Sequence, residues 1–169
     1  MRRALVLGSL TLAALDITDA IVFWFLYRGV MPMRIFQSVA AGLLGRDAAI
    51  HGGLRTALLG AALHLFIATC IVLTYYLASL RLPLLARHPV LCGLAYGVAV
   101  WLVMTFVVVP LSAAQGGRLT LPVALNGVVG HMLFVGLPAA LAARRSLTTA
   151  VRVGDVNATT REARPATAG

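Results

Sequence analysis

Residues 5–27 read LVLGSLTLAALDITDAIVFWFLY, an apolar run whose only charged side chains are Asp16 and Asp19. A hydrocarbon core about 30 Å thick is crossed by roughly 20 helical residues, so the run is long enough to span it. Backbone amides in lipid must find partners within their own segment, which makes the run a helix. A carboxylate at mid-bilayer costs about 3 kcal/mol or more, so two of them three residues apart need a compensating environment. Ser9, Asp16 and Asp19 are spaced by seven and then three residues and share one helical face. Leu12 fills the turn between Ser9 and Asp16, while Thr11 and Thr18 point away. The face that carries the two acids is expected to look at other helices, with both present as buried carboxylates.

Working outward, three further runs have the length and apolarity of spans: 56–79, 90–110 and 121–143. Pro83 and Pro89 break the chain before the third, and Gln115-Gly116-Gly117 with Pro122 before the fourth. With 60% hydrophobic residues and a mean hydropathy of +0.94, the 169-residue chain belongs among membrane proteins. The fold class is an all-α membrane protein with four transmembrane helices. Between the first two spans, the connection 28–55 is too apolar for an ordinary loop. Within it, residues 34–45 place Ile35, Phe36, Val39, Ala40, Leu43 and Leu44 on one half of a helical wheel and Gln37, Ser38, Ala41, Gly42 and Gly45 on the other. That segment is too short to cross and reads as an interfacial or re-entrant helix. It either closes the bundle at the surface or covers the polar centre as a lid. Residues 1–145 form the membrane domain, and 146–169 read as a disordered polar tail rich in Thr, Ala and Arg. The Asn157-Ala158-Thr159 sequon in that tail carries no meaning for a bacterial cytoplasmic segment.

All fourteen basic residues are Arg, a bias that suggests a GC-rich bacterial genome. The formal charge of +9 lies between spans and in the tail rather than on a basic face with interleaved aromatics. It therefore points to the lipid bilayer as the partner and away from nucleic acid. Arg2, Arg3, Arg81, Arg87, Arg144, Arg145 and Arg152 fall on the side of the termini, against Arg28, Arg34, Arg46, Arg55 and Arg118 on the other. That bias favours termini in the cytoplasm of a multi-pass inner-membrane protein. Arg2-Arg3, the run to Leu15 and Thr18-Asp19-Ala20 resemble a signal peptide, but the apolar stretch resumes at Ile21, which favours an uncleaved first span. Cys70 and Cys92 form no C-x-x-C pair and are expected to pack as small hydrophobes.

The second span carries His64, with Gly60 and Ala68 one turn away on either side, and the fourth carries His131 beside Gly130 and after Gly127. At about 1.5 Å per residue, Asp16, His64 and His131 share a broad layer near the midplane. Asn126 lies about a turn and a half from His131, away from the termini. The third span brings only Trp101 and Thr105 and reads as packing material, with Gly93 and Gly97 as a close-approach ridge. Two acids so near each other in low dielectric are expected to share one proton, with an imidazolium balancing the remaining charge. Asp16, Asp19, His64, His131 and Asn126 are thus candidates for a proton or cation site. The same residues also suit a hydrogen-bonded network that only fixes helix register. His64 and His131 fit partners of the acids better than ligands of a divalent metal or axial ligands of haem, the two cofactors such a pair allows. Arg28, Arg34 and Arg46 are candidates for contact with lipid head groups or for an anion entrance. No G-x-S-x-G, H-E-x-x-H or phosphate-binding Gly-Lys-Ser/Thr motif is present, so the sequence argues against an enzyme.

Asp16-Ile17-Thr18-Asp19-Ala20, Arg28-Gly29-Val30 and the stretch from Arg34-Ile35-Phe36-Gln37-Ser38 to Leu44-Gly45 resemble a family of small bacterial inner-membrane proteins. Thr56-Ala57-Leu58-Leu59-Gly60, Leu63-His64, Gly93-Leu94-Ala95-Tyr96-Gly97 and Val109-Pro110-Leu111-Ser112-Ala113 extend the resemblance over roughly residues 5–143. It implies a four-helix membrane fold and brings no activity, substrate or cofactor. The functional expectation rests on the polar layer: proton- or cation-linked transport or sensing, alone or as a homo-oligomer. The rivals are a structural or assembly subunit of a membrane complex and, less favoured, a haem or metal electron-transfer protein.

Overall fold

A computed structural model describes residues 2–114 and 117–148 of the chain. Seven helices are found among them: α1 (Arg2–Arg28), α2 (Pro32–Leu44), α3 (Arg46–His51), α4 (Gly53–Arg81), α5 (Pro83–Arg87), α6 (Pro89–Leu111) and α7 (Leu121–Thr148). Four of them, α1, α4, α6 and α7, are long and apolar enough to cross a membrane. The outer surface agrees with that reading: Leu26 is 78% exposed, Leu91 72% and Leu111 83%. Such a belt has no place in water and is satisfied by lipid tails.

The spans run a few residues past the apolar runs at both ends, because flanking Arg side chains continue a helix without cost to its backbone bonds. The expected tail boundary at residue 146 shifts for the same reason: α7 continues to Thr148, with Ser146 fully buried. The remainder of that tail, the sequon, Arg152 and the Gln115-Gly116 break lie outside the described residues. Two short helices, α3 and α5, occupy stretches expected as loop. Gly29, in the left-handed conformation (φ 65°), ends α1. Its amide and that of Val30 donate to the carbonyls of Phe25 and Trp24 at 2.9 and 3.2 Å.

The bundle is tight in one half and open in the other. The tight half lies toward the chain ends, where Leu12 and Ala13 of α1, Val72 and Tyr75 of α4, Val100 of α6, and Val135 and Ala139 of α7 form one buried cluster. Small residues make it tight. A Cβ on Gly8 would strike Ala142, one on Gly93 would crowd Ala140 and the Gly136 carbonyl, and one on Gly97 would strike the backbone of His131 and Met132. Helices in lipid gain little from hydrophobicity, so this close backbone approach carries their association. Tyr75 and Tyr96 meet edge to face at 5.0 Å and donate to the carbonyls of Leu85 and Ile71. Cys92 is half-buried, but Cys70 faces outward and does not join the packing expected of it.

In the other half, α6 and the first turns of α7 diverge; α6 widens there into a π turn, Met104–Val108, while the π turn of α7, His131–Gly136, lies against α6 at Gly93 and Gly97. Each π turn stands just before a proline, Pro110 or Pro138. Proline has no N–H to donate and presses on the carbonyl four residues earlier, so a widened turn ahead of it relieves the clash.

α2 packs along the first turns of α4, where Gly60 leaves room for the Phe36 carbonyl. Its buried residues are Ile35, Gln37, Ala40 and Ala41, whereas Leu43 and Leu44 face outward. The inward face therefore straddles the two halves of the wheel, taking Ile35 and Ala40 from the apolar one and Gln37 and Ala41 from the polar one. Gln37 explains this: its Nε2 donates to the Gly53 carbonyl at 3.0 Å, and its Oε1 accepts from Arg34 Nη1 at 3.2 Å. Thr56 completes the clamp by donating to the Ala49 carbonyl at 2.6 Å. Leucine at position 37 removes the buried donor from that carbonyl, a loss of about 1–3 kcal/mol. Hydrogen exchange should then quicken across α2 and α3 while α7 keeps its protection. Unchanged exchange in α2 would remove Gln37 from this role.

Candidate functional site

The open half of the bundle contains a cavity of about 630 Å³ between α1, α6 and α7. Asp16, Asp19, Phe23 and Trp24 line it from α1, Trp101, Thr105 and Phe106 from α6, and Asn126 and His131 from α7. Arg118, on the connection before α7, also lines it and is exposed. No α2 residue is part of the lining, so the lid expected as one role for α2 has no contact with this space. Trp101 takes up the gap beside Gly127, where a Cβ would strike its indole nitrogen.

The two acids differ in their partners. Asp19 accepts a hydrogen bond from Asn126 Nδ2 at 3.1 Å, which joins α1 to α7. A Cβ on Gly130 would crowd its carboxylate, so the glycine lets α7 come this close. Asp16 lies 3.9 Å from His64 Nε2, on the flank of α1 that faces α4. That distance is an ion pair only when the imidazole is protonated; the close partner of His64 Nε2 is the Ala13 carbonyl at 3.0 Å. A carbonyl only accepts, so His64 carries its proton on Nε2 and is held against the α1 backbone.

His131 is set the other way round. Its Nδ1 lies 2.9 Å from the Gly127 carbonyl one turn earlier, which requires the proton on Nδ1. In the neutral ring Nε2 then keeps its lone pair, available to take up a proton or bind a cation. This imidazole opens the π turn of α7, a distortion that recurs at functional sites in other helices.

The sequence reading is corrected at three points. The carboxylates are not buried: Asp16 is 23% exposed at its side chain, Asp19 is also half-buried, and no carboxylate among the described residues is buried. The helices splay on this side of the bundle, and the acids face the resulting space instead of a closed interface. Nor is the third span mere packing, since Trp101 and Thr105 form one wall. The expected single layer is also divided. α1 stands between His64, tied to Ala13, and the cavity lined by Asp19, Asn126 and His131.

That division bears on cofactors. His64 and His131 do not line a common space, and no three His, Cys, Asp or Glu side chains gather among the described residues in a way that holds a metal ion. The donor sets expected for bis-histidine haem or a four-ligand divalent site do not fit this arrangement. Of the three interfacial arginines, Arg34 is committed to Gln37 and to the Ile50 carbonyl at 3.2 Å, and Arg28 lies over the Tyr27 ring at 5.1 Å. Arg46 is exposed. None of the three lines the cavity; Arg118, which does, carried no sequence signal beyond its charge.

No protein-family model, curated protein or solved structure matches the chain. What the cavity can do follows from its own residues.

Proposed function

We propose that the protein is a multi-pass protein of the bacterial inner membrane that carries out proton- or cation-linked transport or sensing through Asp16, Asp19 and His131. The observation that carries this reading is a cavity lined by two unburied carboxylates and an imidazole, all on helices long and apolar enough to cross a membrane. Ionisable groups in that position are costly, and a water-filled approach is the usual reason they persist. Six arginines of the described residues (Arg2, Arg3, Arg81, Arg87, Arg144, Arg145) stand at the tight end, against five (Arg28, Arg34, Arg46, Arg55, Arg118) at the open end. This supports cytoplasmic termini and a cavity that opens to the opposite side. The apolar outward residues of α2, Leu43 and Leu44, suit an interfacial helix around that mouth.

Protons arriving from the mouth meet Asp19 and the Nε2 of His131 first, then Asp16. Protonated His131 balances the charge of the acids; an incoming cation does the same and displaces the proton. The structural alternative has one observation in its favour, the His64 bond to Ala13, which ties α4 to α1 without reaching the cavity. We assign His64 to that packing role.

The test is proton flux in proteoliposomes under an imposed potential, with a pH-sensitive dye inside. Wild-type protein should exceed protein-free vesicles, and Asp16→Asn and Asp19→Asn should each lose most of that flux while remaining folded. Equal flux in wild type and both variants would leave the polar centre a packing device.

A further inference from the structure

We propose that the ligand of this cavity is a lipophilic organic ammonium ion, its cationic nitrogen held by Asp16 and Asp19 and its apolar body by the aromatic wall. The inference rests on the reading of the cavity as a functional site and names the class of molecule that it takes.

Size is the first argument. At about 630 Å³ the space is far larger than a proton or a bare inorganic ion requires, and it falls within the range of roughly 300–1,000 Å³ typical of small-molecule pockets. Chemistry is the second. Hard inorganic cations are held where several charged oxygen donors converge, and no three His, Cys, Asp or Glu side chains gather to hold a metal ion among the described residues. An alkylammonium ion instead needs a counter-charge and a polarisable surface. The cavity offers both, with two carboxylates on α1 and the rings of Phe23, Trp24, Trp101 and Phe106 around them. Ring faces attract such cations, Trp most strongly, and more so away from water.

Position is the third argument. Asn126 lies five residues inside α7 and Asp19 is bonded to it, so Asp19 lies about a turn and a half beyond the mouth, with Asp16 nearly a turn deeper on α1. Arg118 stands on the connection outside the helix, in contact with solvent. The inner part of the cavity is therefore acidic and aromatic, and the fixed positive charge is confined to its rim. His131 lines the same inner space, with its Nδ1 turned to the Gly127 carbonyl.

The chain supplies its own reporter, since Trp24 and Trp101 are its only two tryptophans and both line the cavity. Benzyltrimethylammonium titrated into the full-length protein in mild detergent should give a saturable change in tryptophan fluorescence. Neopentylbenzene, the uncharged molecule of the same shape, and phenylacetate should give none. Asp16→Asn combined with Asp19→Asn keeps both tryptophans and should weaken binding at least about tenfold. Trp101→Phe, which retains an aromatic face, should bind more weakly than wild type but still saturably.

An equal response to the neutral isostere would reduce the cavity to an apolar hole, and a response to phenylacetate alone would assign it to anions through Arg118. Either result overturns the proposal, as does the absence of any saturable signal. Both ligand comparisons use the wild-type protein, so they stand even where the double variant fails to fold. A silent titration beside intact Asp-dependent proton flux would overturn the organic-cation assignment alone. Loss of both would remove the functional reading beneath it.

Discussion

Leucine in place of Gly97 is expected to destroy the folded bundle, lowering the yield of monodisperse protein in detergent to a small fraction of wild type. Even the first carbon of a side chain at this position meets the backbone of His131 and Met132 on α7. Flexible side chains yield to such a clash, but backbone in a packed helix pair does not. Overpacking a tight interior costs about 1–3 kcal/mol and more where nothing relaxes, so Gly97→Ala should already lower the melting temperature. Leucine belongs at the upper end or beyond it. Ala95→Leu is the control, two residues away on the exposed face of the same helix, and should be neutral. A Gly97→Leu protein that stays monodisperse and melts like wild type would mean that α6 and α7 do not cross here.

The consequence extends beyond stability. Gly93, Gly97 and Gly136 bring α6 and α7 together on the side of the chain ends, with the π turn of α7 inside that contact, and the π turn of α6 with Pro110 lies where the pair opens. A crossing set by small residues at one end leaves space at the other, and Trp101 beside Gly127 fills only part of it. The cavity is thus a product of where the glycines are. It needs no separate device to hold it open.

Much of this architecture was legible in the sequence. Hydrophobic runs of about 20 residues specify spans because lipid admits few other structures. The cost of charge in that setting marked Asp16 and Asp19, and the structure places both on the cavity wall. Less legible was the way each ionisable side chain is aimed. His64 and His131 lie at similar depth, yet one is held by the Ala13 carbonyl of a neighbouring helix and the other by the Gly127 carbonyl of its own. Depth follows from counting residues, but aim depends on helix rotation and on the π turn, which are tertiary outcomes. Gln37 falls on the polar half of the α2 wheel, and periodicity gives no warning that its amide is buried with Ile35 and Ala40. Half-buried carbonyls at Ile50 and Gly53, where α3 gives way to α4, draw that amide inward. Trp101 and Thr105 were passed over because a span without charge looks uniform until its partner helix diverges from it.

A thiol-reactive probe that cannot cross the membrane should reach the cavity from one side only. In a protein with Cys70→Ala and Cys92→Ala, Val123→Cys and Ala20→Cys introduce thiols on the cavity lining. Ala140→Cys introduces one in the tight half, where the native side chain has no exposed surface. Thiol labelling requires access by water and reagent, so the first two should react roughly tenfold faster or more than the third. On the proposed topology, with the termini in the cytoplasm, intact spheroplasts should label at positions 123 and 20, and inverted vesicles should not. The tight half is the reason, since Leu12, Val72, Val100 and Val135 close the bundle between the acids and the chain ends. Labelling from the side of the termini alone would invert the direction of access. Equal labelling from both sides would mean that the packed half opens as readily as the cavity, and Asp16 would then sit in a continuous pore. Only one-sided reactivity fits a site loaded from a single aqueous phase, which a transporter must then turn towards the other and a sensor need not.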